Sequence, residues 1–127
     1  MNIKVNIEKI IDRYIYINDG YYNAETGKIM EKKDIDKINN KNFIKLPKYD
    51  EKEQNKIINS FLSNLKNEKL VKEFKDNYDI KNFENYMSCF HWFAEDYGIW
   101  GDFIDYRIEE QRKTITKWCE EHNLEYY

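Results

Sequence analysis

The sequence predicts a mainly α fold: a compact helical bundle of four to six helices with a minor N-terminal β-hairpin. Three observations predict it. Pro47 is the only proline and glycines number only four, too few turn residues for a many-stranded sandwich or barrel. From residue 50 onward, apolar residues recur at spacings of three and four in four successive segments. Only a few residues separate those segments, so each must bury its apolar stripe against its neighbours.

Taken in order, Ile7, Ile10, Ile11, Tyr14 and Ile15 place a first helix within residues 6–17, opened by Asn6 as its cap. The β-branched pair Ile15 and Ile17 lets a strand compete at its end. Tyr21-Tyr22-Asn23 and Lys28-Ile29-Met30 flank a turn, Ala24 to Gly27, in which Gly27 can take positive φ; this predicts two short paired strands. Residues 31–42, mostly charged or Asn, predict a short exposed helix around Ile35 and Ile38.

Beyond residue 50 the helical signal strengthens. Asp50 and Glu53 have capping-box spacing after Pro47, and Ile57, Ile58, Phe61, Leu62 and Leu65 share one face of a helix over 50–66. Asn67 caps a helix over 67–78 carrying Leu70, Val71, Phe74 and Tyr78. A stripe of Phe83, Tyr86, Met87, Phe90, Phe93, Ala94 and Tyr97 gives a third over 82–97, closed by Gly98 in a left-handed conformation. The last, 102–122, starts at Asp102, with Asp105 near its positive dipole end, and buries Ile104, Ile108, Ile115 and Trp118 or Cys119 before Asn123 ends it.

The 127 residues amount to one domain, 1–49 holding the hairpin and 50–127 the bundle. A net charge of −3 hides a gradient: Lys plus Arg against Asp plus Glu runs 10 to 7 over residues 1–49, but 5 to 10 over residues 80–127. The acidic last third also holds 12 of the 21 aromatics, so its rings are poorly placed to meet a phosphate backbone. Apolar runs are far shorter than the roughly 20 residues of a membrane span, and Met1 to Lys9 offer no apolar stretch for a secretion signal. A cytoplasmic location is therefore expected. Two cysteines, Cys89 and Cys119, make neither a disulfide framework nor a four-cysteine metal site.

Several stretches carry a family resemblance: Tyr22 to Ile29, Leu46-Pro47, Tyr97-Gly98-Ile99, Phe103, Tyr106-Arg107 with Glu109, and Trp118-Cys119-Glu120-Glu121 through Leu124-Glu125-Tyr126. In these the chain resembles the bacterial uncharacterised protein family 0158, over most of its length and most specifically at its C-terminal end. It departs from the pattern where members carry a basic-aromatic segment and this chain reads Phe83 to Ser88, at Phe103 where they carry Trp, and at Ile108 where they carry Asp. The resemblance implies a fold and supplies no reaction.

Candidate chemistry is sparse. His91 and Glu95, four apart on one helix, have the spacing of a metal-ligand pair or a base and its orienter, yet neither a zinc-protease motif nor a cysteine knuckle accompanies them. His122 suits the negative end of the last helix. Asp102, Asp105 and Glu109 fall at i, i+3 and i+7 and could hold Mg²⁺ or Mn²⁺; dipole complementarity at a helix start predicts the same acids without metal. Arg107 would pair with Glu110 or Glu95, or bind an external anion. Cys89 and Cys119 sit on apolar stripes, where cysteine behaves as a small hydrophobe.

Trp92, off its helix's apolar stripe, and Trp100, between Gly98 and Gly101, are the aromatics expected at the surface. Trp92, Trp100, Phe103, Tyr106 and Arg107 therefore form the expected binding surface, and the first expectation is a non-enzymatic interaction module for a protein partner, without cofactor. The alternative is a nucleic-acid or nucleotide processing protein with Mg²⁺ or Mn²⁺ on Asp102, Asp105 and Glu109, and with Lys28, Lys32, Lys33, Lys41 and Lys45 on phosphates.

Overall fold

The computed structural model describes residues 3–17, 19–36, 42–77 and 86–127. Among these residues it has six helices and one small three-stranded antiparallel sheet near the N-terminus, a mainly α fold as the sequence predicts. By its contacts the chain divides into two units: Met1–Tyr49 with Glu110–Tyr127, and Asp50–Glu109.

The first unit begins with α1 (Ile7–Tyr14), where the Asn6 side chain accepts from the Lys9 N–H as the capping pattern requires. Ile7, Ile10, Ile11 and Tyr14 are its buried face, and the helix stops at Tyr14, short of the β-branched residues. Strands β1 (Gly20–Asn23) and β2 (Ile29–Glu31) pair antiparallel with Tyr22 opposite Ile29. Their turn is held by Asn23, whose side-chain oxygen accepts from the Glu25 and Thr26 N–H groups, and Gly27 takes φ +75. The hairpin is, however, part of a larger sheet. Strand β3 (Phe43–Lys45) pairs with the other edge of β1, giving the order β2-β1-β3.

Between β2 and β3 the expected exposed helix reduces to the single turn α2 (Lys32–Ile35); Ile38 and Lys41 lie outside the described residues. The two ends of the chain meet in this unit: the Val5 N–H donates to the Glu125 carbonyl and the Tyr127 N–H to the Val5 carbonyl. Ile10, Tyr22, Leu46, Ile115, Trp118 and Leu124 fill the core, and the Trp118 indole N–H donates to the Lys45 carbonyl at 2.8 Å.

The second unit is helical. Helix α3 (Glu51–Asn64) is capped by Asp50, which accepts from the Glu53 N–H, and α4 (Glu68–Asn77) by Asn67, which accepts from the Leu70 N–H. Helix α5 (Tyr86–Asp96) ends in a Schellman turn: the Ile99 N–H bonds the Ala94 carbonyl, the Gly98 N–H bonds the Glu95 carbonyl, and Gly98 takes φ +70. Phe61, Phe74, Phe90, Phe93 and Phe103 make an aromatic core with Phe90 and Phe103 only 4.8 Å apart between centroids. Tyr78 and Phe83 lie outside the described residues. Tyr97, expected on the apolar stripe, is 47% exposed; it stands beyond the last turn of α5 and its hydroxyl donates to Glu73.

The last helix, α6 (Trp100–Glu121), starts two residues earlier than expected because the Phe103 N–H already bonds the Ile99 carbonyl. Its residues before Glu110 belong to the second unit and the rest to the first. It therefore lacks one continuous stripe. Phe103 is fully buried in the aromatic core, whereas the expected Ile104 and Ile108 are half-buried; Ile115, Trp118 and Cys119 are buried in the other unit.

Candidate functional site: an aromatic shelf at the α5–α6 turn

The Schellman turn at Gly98 reverses the chain within three residues, so the last turns of α5 and the first turn of α6 present side chains side by side. His91 lies on Trp100 with ring centroids 4.0 Å apart and planes 27° apart, a stacked pair. Trp92 follows at 73% exposure, its ring nearly parallel to His91 at 6.3 Å. Trp100 in turn stacks on Phe103 at 5.4 Å, which ties the exposed rings to the buried core. His91 Nε2 lies 3.2 Å from the Glu95 carboxylate, with both side chains about half exposed. That distance fixes the imidazole over Trp100; protonated, it would add a cation–π contact.

The five residues expected to form a binding surface fare differently. Trp92 is open to solvent and Trp100 is half-buried beneath His91. Phe103, at 0% exposure, presents no surface at all: contrary to expectation it is a core residue, because its ring packs between Phe61, at 5.4 Å, and Phe90, at 4.8 Å between centroids. Tyr106 is half-buried, its ring against Phe61 and its hydroxyl hydrogen-bonded to Ser60 and Asn64 of α3, so it locks two helices together. Arg107 makes neither expected pair: Glu110 lies 3.4 Å from the Lys113 ammonium, and Glu95 engages His91. Its Nε is buried without a hydrogen-bond partner among the described residues.

Asp102, Asp105 and Glu109 are exposed along α6. Among the described residues, no three His, Cys, Asp or Glu side chains gather into a group able to hold a metal ion. Lys28, Lys32, Lys33 and Lys45 are exposed around the sheet of the first unit, Lys33 paired with Glu31 at 3.2 Å. His122 behaves as a C-terminal cap, donating from Nδ1 to the Trp118 carbonyl at 2.8 Å. Burial, with the Glu120 carboxylate adding to it, pushes the Cys119 thiol up to about 11. A thiol held neutral to that degree is no nucleophile at neutral pH.

Sequence reasoning placed His91 in a helix-surface pair with Glu95 and missed its stacking on Trp100. The signal was present in Gly98: a left-handed glycine followed at once by a new helix folds the two flanking turns against each other.

These features define a mainly α protein with an exposed aromatic–acidic shelf and, among its described residues, no helix long and apolar enough to cross a membrane. The chain matches no protein-family model, no curated protein and no solved structure.

Proposed function

We propose that this protein is a non-enzymatic interaction module of the bacterial cytoplasm that docks another protein on the shelf formed by Trp92, His91 and Trp100. The observation that carries the reading is Trp92, 73% exposed beside rings whose orientation is fixed by stacking and by the Glu95 contact. A rigid indole held outside the core can be buried on association at small entropic cost, and tryptophan is over-represented among residues that dominate binding energy. The exposed acids Asp96, Asp102 and Asp105 flank it in sequence and favour a partner with an apolar pocket rimmed by Lys or Arg. The reading includes membership of family 0158, whose resembling stretches Tyr97 to Ile99 and Tyr106-Arg107 fall within the same turn and helix.

A photo-crosslinking amino acid placed at the exposed Ser88, one helical turn before Trp92, in living cells tests it. The expected result is one dominant crosslinked protein whose yield falls at least tenfold when Trp100 is also replaced by Ala. A diffuse smear, or a crosslink indifferent to Trp100→Ala, overturns the reading. Magnesium- or manganese-dependent processing of nucleic acid or nucleotides ranks below it, because Asp102, Asp105 and Glu109 would have to converge with further ligands on one ion, and exposed acids near a helix start have a sufficient dipolar explanation.

A further inference from the structure

Helix α5 closes with its charges set against its dipole. Carboxylates are favourable where a helix begins and cost stability where it ends, yet α5 finishes on Glu95 and Asp96 with no Lys or Arg in its last turn to offset them. Glu95 is compensated by His91. Asp96 is not: its carboxylate is exposed and makes neither a hydrogen bond nor an ion pair among the described residues. Its charge is felt nearby, since the Tyr97 hydroxyl is held above its ordinary range, first by the hydrogen bond to Glu73, then by partial desolvation and by the charges of Glu73 and Asp96. Nor does the surrounding sequence supply a cation. From residue 86 to residue 106 the chain carries four acids, Glu95, Asp96, Asp102 and Asp105, all exposed, and neither lysine nor arginine.

Trp92 stands four residues before Asp96, so the exposed indole and the unpaired carboxylate share one side of α5. Together they suit one kind of group. The indole face attracts a cation, and the carboxylate pairs with it. Arginine satisfies both at once, because its planar guanidinium stacks on a ring while its N–H edge bonds a carboxylate; the compact, strongly hydrated ammonium of lysine does so less well. Dipolar complementarity accounts for Asp102 at the start of α6 but works against Asp96. A local rule broken without local compensation is expected where a ligand supplies the compensation.

We infer that the protein docked on the shelf presents an arginine from a basic segment, its guanidinium lying on the Trp92 indole and paired with the Asp96 carboxylate. This rests on the docking reading above and gives the docked partner its chemistry.

The probe is the acetylated, amidated peptide Ala-Arg-Leu-Arg-Ala, titrated into the full chain while the Trp92 indole N–H is followed by NMR. A saturable shift of that resonance is the expected result, with affinity falling as salt is added. The matching lysine peptide should bind at least about threefold more weakly, and the neutral citrulline peptide at least about tenfold. Asp96→Asn separates a binding role from a structural one: it should raise the melting temperature of the unbound chain, by relieving the end of α5, and yet weaken the arginine peptide at least about threefold. The inference fails if the Trp92 indole shows no saturable shift, if the citrulline peptide or spermidine binds as well as the arginine peptide, or if Asp96→Asn binds it like the parent chain. A single partner captured at Ser88 without any arginine-peptide binding would sink this inference and leave the docking reading standing.

Discussion

The two units are built by opposite strategies. In the second, buried rings from Phe61 to Phe103 come from four helices that follow one another along the chain, each started or stopped by a local device at Asp50, Asn67 or Gly98. In the first, the two ends of the chain must meet before the core exists: Val5 bonds Glu125 and Tyr127, and Trp118 reaches Lys45. Local contacts form at little loop-closure cost, whereas contacts between distant segments are made only once the intervening chain is ordered. Aromatic mass and local order coincide in one unit, aliphatic mass and long-range order in the other. The exposed shelf grows from the aromatic unit.

The largest effect that sharpens this contrast comes from the centre of the aromatic core. Phe90→Ala should cost about 3–5 kcal/mol in denaturant unfolding, the usual loss for a buried ring. Ile115→Ala, its counterpart in the aliphatic core, should cost about 2–5 kcal/mol. Hydrogen exchange then separates the units: the first substitution should lower protection in α3 to α5 before α1 and β1, and the second should do the reverse. Equal loss everywhere would erase the distinction.

Alkaline pH acts on the core of the first unit through Cys119. The Cys119 thiol titrates near 11 in the folded chain against an ordinary value of 9.0, and Tyr22 shifts in the same direction, so folding favours the neutral forms. Stability from Cys119 is therefore fully present below pH 9 and is lost as pH rises through 11, with a slope approaching about 1.4 kcal/mol per pH unit. Cys119→Val should flatten that decline, which thermal melts between pH 8 and 11 would read. Ellman's reagent at pH 8 should label the half-buried Cys89 far faster than the fully buried Cys119.

Smaller again are the caps. Asp50→Ala should destabilise the aromatic unit, and Asn6→Ala the aliphatic one, by about 1 kcal/mol each. Trp92→Ala should leave the melting temperature almost unchanged, within about 0.5 kcal/mol, because an indole this exposed contributes little packing. A large loss there would make Trp92 a structural residue and remove the reason to call the shelf a docking face.

How much of this was legible follows the same division. Asn6, Asp50 and Asn67 each bond the backbone N–H three residues on, as their spacing announces, and Gly27 and Gly98 take the positive φ that their positions require. Strand β3 was not legible: Phe43-Ile44-Lys45 is too short to carry an alternation, and it becomes a strand only because β1 offers it an edge. Phe103 looks like surface in the sequence because Ile104 and Ile108 suggest a stripe that leaves it out. That stripe assumed one core for the whole helix, whereas α6 serves the aromatic core early and the aliphatic core late. Of the expected site, Trp92 was legible as a ring with no place on its helix's buried face; the stacking of His91 on Trp100 and the freedom of Arg107 from Glu95 and Glu110 were not.

By itself, then, the sequence determined what depends on neighbours within about four residues: where helices begin, where they stop, which glycines turn left-handed, and that helices dominate. Tertiary structure alone decided which side of α6 faces which core, that a third strand joins the hairpin, and that His91 stacks on Trp100. Capping and periodicity are local interactions whose partners lie a fixed number of residues away. Burial in a core depends on segments far apart along the chain, and no local spacing encodes their meeting.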